Sequence, residues 1–223
     1  MDWTALWISV ELGLWTVLLL LPLGVFLGHF LAFHRFRGRR LLEAFLAMPL
    51  VLPPTVIGYY LLTVFGKGTW IGQGWEALTG GPLAFTFEGL IAASVIANIP
   101  FAVQPMQRAF EAIPPEVREA GMCCGMSPLR LLRRIELPLA WPGAVTAMVL
   151  SFAHTLGEFG IVLMVGGNIA GETRTISIAI YDRVQAFDDV AAGEMAAVLL
   201  VISFVSIVCV LTLADRIGQR HGK

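Results

Sequence analysis

The residue types that carry out chemistry are few in this chain, and His154 and Glu158 come closest to a reactive pair. They stand four residues apart, so a helix places both on one face. An ionisable side chain within an apolar helix is a functional candidate by default. Glu158 falls near the outer end of its predicted helix, and we interpret its role as structural or gate-latching, paired with His154 or Arg174, in preference to contact with a substrate.

No other motif predicts catalysis. The stretch Gly66-Lys67-Gly68-Thr69 is similar to part of a phosphate-binding loop, but the first glycine of that motif is missing and no strand-to-helix pattern surrounds it. Of the three cysteines, Cys123 and Cys124 are adjacent and the third lies in an apolar run, which is not a metal-ligand spacing. We therefore predict no catalytic residue, no metal site, no cofactor in this chain and no nucleic-acid binding.

Composition indicates a membrane protein. Hydrophobic residues make up 57% of the 223 residues and charged residues only 14%, against about 25% charged residues in soluble domains. Several apolar runs approach the roughly 20 residues that a helix needs to span a bilayer. We predict an all-α fold forming one membrane domain over 1–223, with five spans at about 12–33, 44–65, 85–103, 139–165 and 196–214. Residues 1–10 are predicted to lie at the membrane interface.

Charge sets the predicted topology. Four arginines fall within Arg35–Arg40, and positively charged loops stay in the cytoplasm. With that loop inside, the inner segments carry twelve Lys and Arg residues and the outer segments three. We therefore predict an extracytoplasmic N-terminus and a cytoplasmic C-terminus ending in the basic tail 215–223. Pro49, Pro53 and Pro54 predict a kinked second span, and Gly24 and Gly28 allow a close helix approach in the first.

The polar segment Glu119–Pro138 interrupts the membrane pattern between the third and fourth spans. Pro115 and Pro128 suit the first turns of two short helices, with Ser127 as an N-cap, and Pro138 is expected to end the second helix. Gly121 and Gly125 weaken the first helix and permit close approach of another backbone. From composition alone, an amphipathic surface loop is an equal interpretation.

Fixed residue types at fixed spacing make this segment similar to the loop shared by permease subunits of bacterial ABC importers. The matching residues are Glu119, Ala120, Gly125, Ile135, Leu137 and Pro138, with Gly121 where the family usually has alanine. Further stretches resemble the molybdate and sulfate branch of that family: LPPTVIGY from Leu52, LGEFG from Leu156 and GETRT from Gly171.

The resemblance implies a role for the chain. The loop 114–138 would be a cytoplasmic coupling helix docking on an ATPase subunit, which carries the ATP and Mg. The partners implied are two ATPase copies, a second copy of the permease and an extracytoplasmic oxyanion-binding protein, in the bacterial inner membrane. We expect the pore or gate to involve Pro53 and Pro54 of the kinked helix and the ionisable Glu158. Three further residues are chosen from polarity and position alone: Thr55, Asn98 and Ser151. For Asn98, a hydrogen bond between helices is the favoured alternative.

Three interpretations remain open at this point. The chain is a molybdate permease, a sulfate or tungstate permease of the same architecture, or a secondary transporter or membrane scaffold without ATP coupling. Tetrahedral oxyanions differ little in charge and shape, so sequence hardly separates the first two. Secondary transporters often carry paired broken helices in two internal repeats, and no repeat is evident in this sequence.

Overall fold

The computed structural model describes residues 1–221, with side chains described to residue 208 and at Thr212. The side chains of the predicted basic tail 215–223 lie outside the described part, and so do residues 222–223 as a whole. The described chain is helical. Its elements are α1 Trp3–Phe33, α2 Arg39–Val51, α3 Pro54–Phe65, α4 Trp70–Thr79, α5 Phe87–Glu111, α6 Pro115–Cys123, α7 Pro128–Leu131, a π turn Leu132–Glu136, α8 Leu137–Gly157, α9 Gly160–Gly166, α10 Ile176–Gln185 and α11 Asp189–His221.

Four continuous helical segments are long and apolar enough to cross a membrane: Trp3–Phe33, Phe87–Glu111, Pro128–Gly157 and Asp189–Val208. The pair α2 and α3 provides a fifth crossing if it counts as one span, although the two helices meet at 109°. The proline-rich second span is therefore broken, not merely kinked. Leu52 and Pro53 form the break in extended backbone, and Pro54 begins α3, because proline suits a first helical turn.

The centre of the molecule is the packing of α1, α5 and α8 against one another. Small residues allow this packing, as the sequence predicted. A Cβ atom at Gly28 would lie 2.7 Å from Met106 Cβ, and one at Gly24 would lie 3.1 Å from Ala102 Cβ. Helix α11 covers α8 and α10, while α3 packs on α9. Between the fourth and fifth predicted spans, α10 forms a short separate helix.

Helix boundaries differ from the predicted ones at several points. Helix α1 begins already at Trp3, where the Asp2 carboxylate accepts a hydrogen bond from the Ala5 N–H at 3.0 Å. The segment 66–84, which separates the second and third predicted spans, contains α4, and the Thr69 hydroxyl caps this helix by accepting from Gly72 N–H at 3.0 Å. A cap followed by so short an amphipathic run is a weak signal, which is why the sequence did not reveal it.

The prediction that Pro138 ends a helix is wrong. The chain remains helical from Pro128 to Gly157, and the π turn ends at Glu136, two residues before Pro138. In that turn the Leu137 N–H donates to the Leu132 carbonyl, five residues back. Proline has no N–H to donate, so the wider turn lets the helix pass through this position. The helix instead ends at Gly157, and α9 begins separately at Gly160, so the predicted span 139–165 is also broken.

Candidate coupling loop and pore region

The segment between α5 and α8 folds as a tight helical hairpin made of α6 and α7. Helix α6 ends in a Schellman turn: the Gly125 N–H donates to the Met122 carbonyl at 2.9 Å, and the Met126 N–H donates to the Gly121 carbonyl at 3.2 Å. Gly125 has φ +76°, the left-handed conformation that this turn requires. Gly125 is thus explained by the turn, and no other part of the chain lies within 4 Å of a Cβ atom built there.

The motif residues of the hairpin divide into two groups. Glu119, Ala120, Gly125 and Pro138 are exposed, whereas Gly121 is buried and Ile135 and Leu137 are half-buried. A Cβ atom at Gly121 would lie 2.6 Å from Leu131 Cδ1 and 3.0 Å from Ile135 Cδ1, so glycine lets the two arms meet. The close approach expected at Gly121 is therefore to side chains of the same hairpin. Ser127 occupies the N-cap position of α7, but its side chain makes no capping hydrogen bond.

One buried carboxylate joins the hairpin to the first membrane helix. Glu136, in the π turn, is 1% exposed. Its Oε1 accepts from Arg118 Nε of α6 at 2.6 Å, and its Oε2 lies 2.8 Å from His29 Nε2 of α1. The Arg118 guanidinium also stacks 3.5 Å from the centre of the Phe33 ring. We call these four residues the Glu136 clamp.

Sequence reasoning missed the Glu136 clamp. The available signals were a single acidic residue next to the start of an apolar run and a histidine within the first span, since ionisable residues at membrane depth need a partner. The spacing did not indicate which partner, because His29 is 107 positions from Glu136. A buried charge with two partners on separate elements fixes those elements relative to each other, since separating them would leave the charge unpaired.

The two helix breaks lie against each other. A Cβ atom at Gly160, which starts α9, would lie 2.8 Å from Pro54 Cβ and 3.3 Å from the Thr55 N atom. The stretches beginning at Leu52 and Leu156, far apart in sequence, thus meet at one place in the fold. Pro53, Pro54 and Thr55 are exposed there.

Glu158 has a structural role in this break. It is 6% exposed, and its Oε1 accepts from the Ile161 N–H of α9 at 3.0 Å. Its backbone carbonyl accepts from the Ser177 hydroxyl of α10 at 2.7 Å. His154 Nε2 lies 3.8 Å from its carboxylate, in agreement with one of the two predicted partners. Arg174, the other predicted partner, instead donates to Asn168 Oδ1 at 2.6 Å.

Asn98 lies in a buried polar network that links the three central helices. Its Nδ2 donates to the Ser94 carbonyl at 2.8 Å and to Thr155 Oγ1 at 3.2 Å, and its Oδ1 lies 3.1 Å from His154 Nδ1. Ser94 in turn accepts from Thr16 of α1 at 3.0 Å. The favoured interpretation of Asn98, a hydrogen bond between helices, is therefore confirmed.

Ser151 is also buried, in a narrow apolar gap between α1, α5 and α8, and its hydroxyl has no hydrogen-bond partner there. The six residues expected at the pore or gate thus fall into two sets. Three lie on the surface at the first helix break, and three lie inside this single chain. A role for any of them in translocation stays a prediction.

A family model for the inner membrane component of binding-protein-dependent transport systems matches residues 21–223. The chain is 44% identical to the molybdenum transport system permease protein ModB of Azotobacter vinelandii over 203 residues, covering 91% of this chain and 90% of that protein. It is 33% identical to ModB of Escherichia coli K12, covering 100% and 97%. Identity to the sulfate transport system permease protein CysT of Salmonella typhimurium is 35%, covering 88% and 71%.

Solved structures share the fold at low identity. A bacterial ABC transporter involved in the import of the acidic polysaccharide alginate superposes with a TM-score of 0.71 at 18% identity, covering 99% of this chain and 79% of that one. The MetNI methionine ABC transporter in an inward-facing conformation gives a TM-score of 0.70 at 16% identity, covering 97% and 94%.

The Glu136 clamp predicts the effect of one substitution. Glu136→Gln removes the buried negative charge and leaves Arg118 without its counter-ion, which costs about 3 kcal/mol for a broken buried pair. For a chain of this size that corresponds to a melting temperature lower by roughly 6–12 °C. Thermal denaturation of the purified protein in detergent measures this.

Glu116→Gln is the matched control, because Glu116 lies exposed in the same hairpin and its carboxylate takes part in no ion pair among the described side chains. It is expected to leave the melting temperature unchanged. Equal effects of the two substitutions would contradict the clamp.

Proposed function

The chain belongs to the family of inner membrane components of binding-protein-dependent transport systems, and we propose that it is the permease subunit of an ATP-driven importer of molybdate. We choose molybdate as the proposed substrate because the chain is 44% identical to a molybdenum transport permease over nearly the full length of both chains. The chain is a multi-pass inner-membrane protein and not itself an enzyme. Its sequence has no complete phosphate-binding loop, so ATP and Mg belong to a separate ATPase subunit.

Sulfate is the second candidate, because sulfate permeases are 35% identical to the chain. Tungstate is a further candidate substrate, because it is also a tetrahedral oxyanion. The secondary-transporter interpretation is not supported. Secondary transporters often contain broken helices, and this chain has two, but broken helices do not separate the two classes of transporter. The family membership does separate them.

In the proposed assembly, two copies of the permease pair with two ATPase subunits, and an extracytoplasmic binding protein delivers the anion. A related fold has been solved as the alginate transporter in complex with its periplasmic protein, which supports a partner of this kind. The hairpin of α6 and α7 is the proposed docking element, with the exposed Glu119, Ala120 and Gly125 facing the ATPase. Three arginines are also exposed here, Arg130 on α7 and Arg133 and Arg134 in the adjoining π turn.

Two paths carry motion from the hairpin into the membrane. The first is the continuous helix from α7 through the π turn to α8, which ends beside the helix break at Glu158. The second is the Glu136 clamp, which connects α6 and the π turn to α1. When ATP closes the ATPase dimer, the two hairpins move together, and α1 and α8 move with them. The proline break at Leu52–Pro53 and the break at Glu158 are the points that bend, since no helical hydrogen bonds cross them.

The substrate is tested with the reconstituted complex of permease, ATPase and binding protein. We expect molybdate to raise ATP hydrolysis several-fold at concentrations where sulfate does not. Tungstate is expected to act like molybdate, because the two anions resemble each other most closely in size and charge. Stimulation by sulfate alone would replace molybdate with the second candidate. Stimulation by none of the three anions would contradict an oxyanion importer.

Native cysteines test the placement of the hairpin. Cys123 and Cys124 are exposed on α6 and in the turn after it. In a Cys209→Ser background, a membrane-impermeant maleimide is expected to label them in inverted vesicles but not in intact cells. Added ATPase subunit is expected to slow the labelling by about tenfold or more, because docking covers the hairpin.

The control for sidedness is Gly68→Cys in a background without other cysteines. Gly68 lies exposed between α3 and α4, at the end predicted to be extracytoplasmic. That cysteine is expected to react in intact cells. Labelling of Cys123 and Cys124 from outside would reverse the proposed orientation. Labelling that the ATPase leaves unchanged would show that it docks elsewhere.

A further inference from the structure

Polar side chains form a stripe on the inner half of α5. Gln104 and Arg108 are one helical turn apart and share a face of α5 with Pro100. Thr146 of α8 faces the same groove. Polar side chains on membrane helices seldom face lipid, since transferring them out of water is costly. The stripe therefore faces water or another protein surface.

Two adjoining cavities meet at these side chains. One, of about 450 Å³, lies between α5 and α8 and is lined in part by Gln104, Arg108 and Thr146. The other, of about 390 Å³, lies between α5 and α2, and Pro100, Gln104 and Arg108 line it as well. Both volumes are within the range of about 300–1,000 Å³ that is common for small-molecule sites. Gln104 and Arg108 thus stand on the ridge between two spaces large enough for a hydrated anion.

Arg108 differs from its neighbour Arg39 in its charge partners. Arg39 donates to Glu43 at 2.9 Å and to Glu111 at 2.8 Å. Gln107 donates to the same two carboxylates, each at 3.0 Å. Arg108 is exposed, and no carboxylate among the described residues lies within 4.0 Å of it. Its guanidinium therefore remains available for an anion that enters the groove.

We propose that Arg108 and Gln104 form a transient binding site for a tetrahedral oxyanion dianion at the cytoplasmic mouth of the translocation path. This inference rests on the proposed function. A guanidinium presents two parallel N–H donors to neighbouring oxygens of a tetrahedral anion, and the Gln104 amide adds a neutral donor. The dianion passes from the central pore to this pair before it leaves for the cytoplasm.

The surroundings keep the site weak, as conduction requires. Glu43 and Glu111 are two carboxylates on the α2 side of the groove, where Arg39 pairs with both. Their field opposes lasting retention of a dianion at Arg108. A site in a transport path must bind well enough to admit its ion and weakly enough to release it.

A simpler role for Arg108 is electrostatic stabilisation of the C-terminal end of α5, where a cation is favourable. The two roles differ in what they change. Loss of helix stabilisation lowers stability and assembly, and it reduces ATP hydrolysis and uptake together. Loss of an anion site lowers uptake and leaves hydrolysis in place. Anions taken up per ATP hydrolysed is therefore the decisive quantity.

The experiment uses proteoliposomes of the complete transporter with its binding protein and radiolabelled molybdate. Arg108→Gln is expected to lower the anions taken up per ATP hydrolysed by about tenfold, and Arg108→Lys, which keeps the charge, by less than about threefold. Gln104→Leu is expected to lower this ratio by a factor between those of the two Arg108 variants. Arg37→Gln is the matched control, because Arg37 is exposed in the loop between α1 and α2, away from the groove, and it is expected to change nothing.

An unchanged ratio in Arg108→Gln would overturn the anion site. A parallel loss of subunit co-purification and ATP hydrolysis would also overturn it, in favour of a role in packing against α5 or against the second permease copy. If the unsubstituted transporter moves sulfate but not molybdate, the same ratios are measured with sulfate, and the site is judged on them. If it moves no oxyanion, the proposed function fails, and the site fails with it.

Discussion

The buried carboxylate of Glu136 is the constraint on which the position of the hairpin relative to α1 depends. A charge removed from water is tolerated only with a partner and hydrogen bonds, because its desolvation costs several kcal/mol. Glu136 meets that condition through Arg118 on α6 and His29 on α1, at 2.6 and 2.8 Å. The hairpin therefore cannot turn away from α1 without exposing this carboxylate or leaving it unpaired. Phe33 reinforces the arrangement by packing under the Arg118 guanidinium.

Rigid and flexible parts of the chain follow from the same kind of reasoning. The helix from Pro128 to Gly157 is continuous, since a π turn accommodates the proline that would otherwise interrupt it. The pairs α2 with α3 and α8 with α9 are interrupted by short extended segments, and these two interruptions pack together at Pro54 and Gly160. Under the proposed function, a push on the hairpin would be transmitted along α8 and α1 to the region where the helices are already broken. The buried network of Thr16, Ser94, Asn98 and Thr155 holds α1, α5 and α8 together during such a movement.

The sequence predicted those features that depend on local pattern. Apolar runs predicted the membrane helices, Gly24 and Gly28 predicted close packing, and Pro115 and Pro128 predicted the two arms of the hairpin. The sequence did not predict contacts between residues that lie far apart in the chain. One of the two partners of Glu136 is a histidine in another helix, and the cap that Glu158 provides to α9 depends on a break that composition does not indicate. Pro138 was misjudged for a related reason, because a π turn allows a proline inside a helix only in a particular backbone context.

The central claim is that the hairpin and α1 move as one body. It is tested most directly by electron paramagnetic resonance distances between spin labels at Val117 on α6 and Phe26 on α1, both of which are exposed. In the reconstituted complex, this distance is expected to stay the same between the nucleotide-free and ATP-trapped states. The distance between the two Val117 labels of the permease pair is expected to shorten as the ATPase dimer closes. A change in the Val117–Phe26 distance as large as the change between the two Val117 labels would show that the hairpin moves independently of α1, and would contradict the account.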